Sequence, residues 1–219
     1  MKIGSPEWND AMYRLHPTPY AGLAGFVEYI RARLICSLAQ ISAHDTVLEI
    51  GCESGGLMAV LPPCHRLVGI DISSVALSHA QTRLKHIHRD AHFIQCDATG
   101  SLPFKQGEFS VIICSEMLEH VANPDKVIDA IRKISTTSTR IIISVPNEAP
   151  KIQLKKFLWK IGFLQLLMKG IEKDQSEWHL QAFSRAKLLN LLSPKMNILK
   201  LHGVFGLHII VSCKLFKSD

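Results

Sequence analysis

Between residues 45 and about 145, short apolar runs alternate regularly with helical patterns, and this alternation restricts the fold more than any other feature. The runs are DTVLEIG, RLVGID, HFIQCD, EFSVIICSE and TRIIISVPN. Most carry apolar residues at consecutive positions. Neighbouring side chains of a strand point to opposite faces, so such a run describes a strand covered on both sides. Between them, SSVALSHAQTRLKHI (with Ser73 or Ser74 as its cap) and NPDKVIDAIRKI have helical spacing. Strands joined through helices run parallel, and the helices fall on both faces of the sheet.

Residues 22–41 read as an amphipathic helix ahead of the first strand, and SRAKLLNLL as a helix after the fifth. NILKLHGV and LHIIVSCKLF follow with too short a link for a crossover, which suits an antiparallel pair. The expectation is an α/β protein: a three-layer, doubly wound, seven-stranded sheet with its last strand pair antiparallel. Residues 1–20, with prolines at 6, 17 and 19, read as irregular.

A chain of 219 residues with 47% hydrophobic and 20% charged residues supports one core, not two domains, and is not of disordered composition. No apolar run reaches the ~18 residues that span a bilayer. The start, MKIGSPEWND, lacks a hydrophobic signal core, so a cytoplasmic location is expected. Six scattered cysteines without a CxxC pair fit reduced, buried thiols. The net charge of +6 is local, because residues 151–173 hold six lysines and one acid. The remainder is close to neutral, which argues against a nucleic-acid groove.

Three successive strands deliver an acid at or near their C-terminal ends: Glu49, Asp71 and Asp97. Ligands of open α/β sheets bind at that edge. After Glu49 the chain reads Gly51-Cys52-Glu53-Ser54-Gly55-Gly56, a turn that brings backbone close to a ligand. Asp71 lies 22 residues beyond Glu49, placed to accept hydrogen bonds from ribose hydroxyls.

The segments VLEIGCESGGL, LVGIDIS, FIQCDA and FSVIICSEMLEHV together resemble the successive motifs of the class I S-adenosylmethionine (SAM)-dependent methyltransferases, over about residues 25–215. The resemblance implies the Rossmann-like methyltransferase fold and SAM as cofactor. It places Glu49, Gly51, Cys52 and Gly55 around the methionine moiety and turn, Asp71 and Ile72 at the ribose, and Asp97 and Ala98 at the adenine. Cys114 and Ser115 would line the pocket floor. Two positions depart from the pattern: Glu53 replaces the usual middle glycine, and Ser110 stands where an Asp is frequent. A dinucleotide dehydrogenase fits less well, since Glu53 occupies the second glycine of its G-x-G-x-x-G fingerprint.

Glu116-Met117-Leu118-Glu119-His120 follows the fourth strand and resembles the ExxEH stretch of the ubiquinone-biosynthesis O-methyltransferases and the small-RNA 2′-O-methyltransferases. A later histidine, His179, precedes Phe183-Ser184-Arg185. The resemblance implies Glu116, Glu119, His120 and His179 as ligands of a divalent metal, Mg or Zn. Two further readings stay open: His120 or His179 as a catalytic general base without metal, or a purely structural role. The other histidines, His208 among them, read as surface or structural.

The chain is read as a single domain over 1–219, with an N-terminal helical cap at 1–42 and an amphipathic lid insertion at 150–178. Within that insertion an oily, lysine-edged face suits either packing on the body or an anionic membrane surface. The expected activity is O-directed transfer to a hydrophobic or lipid-linked small molecule, with no nucleic-acid partner. A sugar hydroxyl of a surface glycan is an alternative acceptor. A non-catalytic, membrane-associated scaffold is the alternative function, favoured by Glu53.

Overall fold

The computed structural model describes residues 5–15, 22–148 and 179–217. The expected lid at 150–178 and its basic stretch lie outside the described residues. Two helices come first, α1 (Pro6–Leu15) and α2 (Gly22–Ala39). They are followed by β1 (Thr46–Ile50), β2 (Arg66–Asp71), α3 (Ser74–His86), β3 (His92–Gln95), β4 (Val111–Ser115), α4 (Pro124–Ile134) and β5 (Arg140–Pro146). The chain closes with α5 (Arg185–Leu192), β6 (Asn197–Val204) and β7 (His208–Lys214).

The seven strands form one sheet in the order β3-β2-β1-β4-β5-β7-β6. β1 to β5 pair in parallel, while β7 pairs antiparallel with both β5 and β6. The expected topology is therefore present. The order reverses beside β1, so the ends of β1 and β4 diverge to opposite sides and leave a crevice at the C-terminal edge.

Alternation along the strands separates two cores. Leu48, Ile50, Ile112, Cys114, Ile141 and Ile143 face α4 and α5, meeting Ile128, Ile131 and Leu188. Val47, Val111, Ile113 and Ile142 face the other way, toward Ile35 and Ala39 of α2 and Leu84 of α3. Burying one such aliphatic side chain contributes about 1.5–3 kcal/mol, so the two faces supply most of the driving force.

One expectation fails at the N-terminus. Residues 6–15 are helical, not irregular. Proline at the first helical position gives up a donor that would have no partner there. Ser5 accepts from the Trp8 N–H at 3.3 Å and caps the turn. Ser73 and Asn123 cap α3 and α4 in the same way. The β6–β7 turn places Phe205 and Gly206 at φ +49° and +71°, the conformation that tight hairpins need.

At the opposite edge of the sheet, Asp45 ties three strands together. Its carboxylate accepts from the Ser42 N–H at 2.7 Å and the Ser110 hydroxyl at 2.6 Å, and it pairs with Arg140. The Ser110 departure noted in the sequence is thus a structural hydrogen bond. Although burial opposes ionisation, the bonds from Ser110 and Arg140 hold the Asp45 carboxyl well below the usual range. A depressed folded-state pKa stabilises above the unfolded value of about 3.9 and is lost on acidification. Asp45→Asn is expected to cost about 1–3 kcal/mol at neutral pH in urea unfolding, and the gap from wild type should close as pH falls below about 4. A gap independent of pH would contradict this account.

Candidate active site

The turn after β1 depends on two glycines. Gly51 has φ +71°, and a Cβ there would lie 2.6 Å from Met117 Cγ, so the turns after β1 and β4 pack directly together. Gly55, at φ +73°, sits against Ala80 and Leu84 of α3. Gly51 N–H and Cys52 N–H both donate to the Ile70 carbonyl, at 2.8 and 3.0 Å. Glu53, the acid that replaces the usual glycine, adopts φ +51° and is exposed. Its N–H donates to Asp71 Oδ2 at 2.9 Å.

The second Asp71 oxygen accepts from Ser73 N–H, also at 2.9 Å. Each oxygen keeps one further lone pair for a ligand. Burial pushes the Asp71 carboxyl up, against those two backbone donors. Ile72 lies beside it, its carbonyl accepting from Gln95 Nε2 at 3.0 Å. Asp97 is exposed and turns back on its own loop, accepting from Thr99 N–H and hydroxyl, both at 2.8 Å. Ala98 is buried behind it.

Glu49 is buried, and its Oε2 has no hydrogen-bond partner among the described residues. Burial pushes its carboxyl up to about 8, with Arg31 opposing and the charges of Glu53 and Asp71 adding. A buried carboxyl with an orphaned oxygen is costly unless it is neutral or gains a partner. Cys52 and Cys114 are also buried, and their thiols are pushed up by the same desolvation. Cys114 packs in the core beneath the site.

Six side chains close a polar ring over the ends of β4, β5 and β7. Arg31 of α2 donates to Ser115 Oγ, Ser115 meets Ser144 Oγ at 2.8 Å, and Ser144 donates to Glu116 Oε1 at 2.9 Å. His208 Nδ1 contacts Glu116 Oε2 at 2.9 Å, and its Nε2 lies 3.6 Å from Glu28 Oε1. Glu28 returns to Arg31 at 2.5 Å. Burial disfavours the Glu116 carboxylate, but the His208 bond and the Arg31 charge hold its pKa below the usual value. Glu116 also has φ +52°, a conformation that side chains disfavour.

The expected metal set divides. Glu119, His120 and His179 come together, one ligand atom from each lying within 4.8 Å of the others. Glu116 is not in that group; it belongs to the ring. Glu119 is buried and its Oε2 is unpartnered among the described residues. Burial first, then the charge of Glu116, push the Glu119 carboxyl well up. His120 and His179 meet edge to face at 5.0 Å, and His179 Nδ1 hydrogen-bonds Glu148.

Several site residues escape sequence reading. Arg31 and Glu28 look like the solvated face of a helix, because nothing in 22–41 reveals which charges turn inward. His208, read as surface or structural, is buried between two carboxylates. Asp10 caps α3 from α1, accepting from Ser73 Oγ at 2.5 Å and Val75 N–H at 3.2 Å. Its signal was the Ser5-Pro6 helix start, which the irregular reading passed over.

Comparison with known proteins shows the family of the chain. A family model described as a methyltransferase domain matches residues 24–195. A ubiquinone biosynthesis O-methyltransferase of Dechloromonas aromatica is 32% identical over 131 residues, covering 58% of this chain and 56% of the relative. Its counterpart in Thiobacillus denitrificans is 30% identical over 145 residues, covering 66% and 62%. The chain thus spans less than two thirds of the length of these relatives. Among solved structures, magnesium protoporphyrin IX methyltransferase from Synechocystis PCC 6803, with bound SAH, superposes with a TM-score of 0.67 over 96% of this chain and 98% of that one. At 16% identity that likeness concerns the fold alone. With the matched model spanning most of its length, the chain belongs to the methyltransferase-domain family.

Proposed function

We propose that the protein is a SAM-dependent methyltransferase that transfers a methyl group to oxygen of a hydrophobic or lipid-linked small acceptor. The observation that carries the reading is the pair of acids at the sheet edge. Asp71 is held by two backbone donors with lone pairs to spare, and Glu49 has an orphaned buried oxygen. A ribose diol suits the first, and a cation suits the second. The cofactor supplies a methyl group on a sulfonium, already electrophilic.

The chain then has three tasks: to align the acceptor oxygen, to exclude water, and to take the acceptor's proton as the O–CH₃ bond forms and the S–CH₃ electron pair returns to sulfur. His179, next to His120 and Glu119 after β4, is the group we assign to that proton. The relatives' part in ubiquinone biosynthesis and the oily composition of 151–173 support a hydrophobic acceptor. The same segment supports peripheral contact with an anionic membrane. No helix among the described residues is long and apolar enough to cross a membrane.

In a second reading, which would make His179 a ligand and not the base, Glu119, His120 and His179 hold a divalent cation, since the orphaned Glu119 oxygen lacks a positive partner among the described residues. One carboxylate and two imidazoles suit zinc better than magnesium. A cation there would lower the pKa of an acceptor hydroxyl. Removal of metal by a chelator, read as lost turnover, tests this; turnover that survives leaves His179 acting alone.

Isothermal titration with SAM should give micromolar binding, and Asp71→Ala should weaken it at least tenfold, about 1.5–3 kcal/mol for a hydrogen bond to charge. No binding by the folded wild type would favour the scaffold alternative. Glu49 makes binding depend on pH. Its carboxyl is neutral below about 8 in the free protein, and a bound cation favours the ionised form. Affinity for SAM should therefore rise severalfold from about pH 6.5 to about pH 8.5. Glu49→Gln should flatten that rise, and an equally steep rise in the variant would exclude Glu49 as its source.

A further inference from the structure

Glu148 stands two residues beyond β5, and nothing in its sequence context marks it. Its backbone is anchored, the N–H donating to the Phe183 carbonyl at 3.1 Å, with the Phe183 side chain buried. The preceding Asn147 is pinned on the β6–β7 turn by its N–H to the Leu207 carbonyl at 2.7 Å and its Nδ2 to the Gly206 carbonyl at 3.0 Å. The carboxylate therefore leaves a fixed base, and it reaches His179 Nδ1.

His179 is held from the other side as well. Its ring packs edge to face on His120, and two residues later Gln181 N–H donates to the Glu119 carbonyl at 3.1 Å. Gln181 Nε2 donates to the Ala122 carbonyl at 2.8 Å. The stretch 179–183 is thus sewn to the turn after β4 and to the end of β5.

We propose that Glu148 is a positioning residue, which fixes His179 with Nδ1 as donor and leaves Nε2 as the proton-accepting atom of the acceptor site. A carboxylate only accepts, so the shared hydrogen belongs to Nδ1, and a ring that carries this one proton keeps its lone pair on Nε2. An imidazole without such a partner interconverts between two tautomers and loses its orientation. A carboxylate behind a histidine base serves the same purpose in hydrolase triads. The proposal deepens the methyltransferase reading and rests on it only for which proton Nε2 takes.

Nitrogen-15 NMR of the full chain at neutral pH tests this without cofactor or acceptor. His179→Gln identifies the His179 signals by their disappearance. In wild type, Nδ1 should resonate as a protonated ring nitrogen and Nε2 as one bearing a lone pair. Glu148→Ala should bring the two resonances toward each other as the tautomers mix, while Glu148→Gln, whose amide oxygen still accepts, should keep the wild-type pattern. An Nε2-protonated or doubly protonated ring in wild type would overturn the assignment, as would a pattern that Glu148→Ala leaves unchanged. If Glu148→Ala does not fold by circular dichroism, the wild-type and Glu148→Gln spectra decide. Titration with SAM runs separately: a wild type with the expected tautomer but no SAM binding contradicts the methyltransferase reading and not the Glu148 assignment.

Discussion

Carboxyl groups repel one another and resist leaving water, yet this fold gathers the buried Glu49 and Glu119 and the half-buried Glu116 at one edge, with Asp71 close by. Arg31 is the cation that the described structure places among them, and its hydrogen bonds go to Glu28, Ser115 and Ser144. The outcome is a graded set of protonation states. Glu116 is held ionised by His208 and Arg31, while Glu49 and Glu119 are driven toward the neutral acid by burial. Groups with pKa values pushed apart at one edge are the raw material of acid–base chemistry and of cation binding.

The polar ring also explains how the N-terminal region belongs to the site. Helix α2 packs apolar residues on the sheet, but Arg31 and Glu28 reach past that contact to the ends of β4, β5 and β7. Helix α1 makes a smaller version of the same arrangement, with Asp10 at the start of α3 beside Asp71. Both helices thus touch the sheet edge through charge and not only through oil. Burying a charge without a partner is so costly that these contacts restrict where each helix can sit.

Most of the fold could be read from the chain because burial on two faces leaves a local mark. Val47 to Ile50, Val111 to Cys114 and Ile141 to Val145 are apolar at every position or nearly so, and only a covered strand tolerates that. The close link before Leu207 likewise announced an antiparallel partner. The acids Glu49, Asp71 and Asp97 were legible for a related reason, since each stands at or near the end of such a strand. The partners of the acids after β4 were not. Glu116 and Glu119 are three residues apart and look alike, yet a left-handed turn at Glu116 sends them to different partners. Arg31, His208 and Glu148 act through contacts tens of residues distant, which periodicity cannot encode. The α1 helix was missed because the prolines at 6, 17 and 19 were read together as marks of irregular chain, when Pro6 starts the helix.

The proposed function requires the crevice beyond β1 and β2 to receive an adenosyl group with its ribose on Asp71. A crystal structure with the demethylated cofactor tests this most directly. Both ribose hydroxyls are expected at about 2.6–3.0 Å from the Asp71 carboxylate, with the amino-acid end of the ligand approaching Glu49. A ligand seated elsewhere, or an Asp71 carboxylate that touches no part of it, would contradict the account.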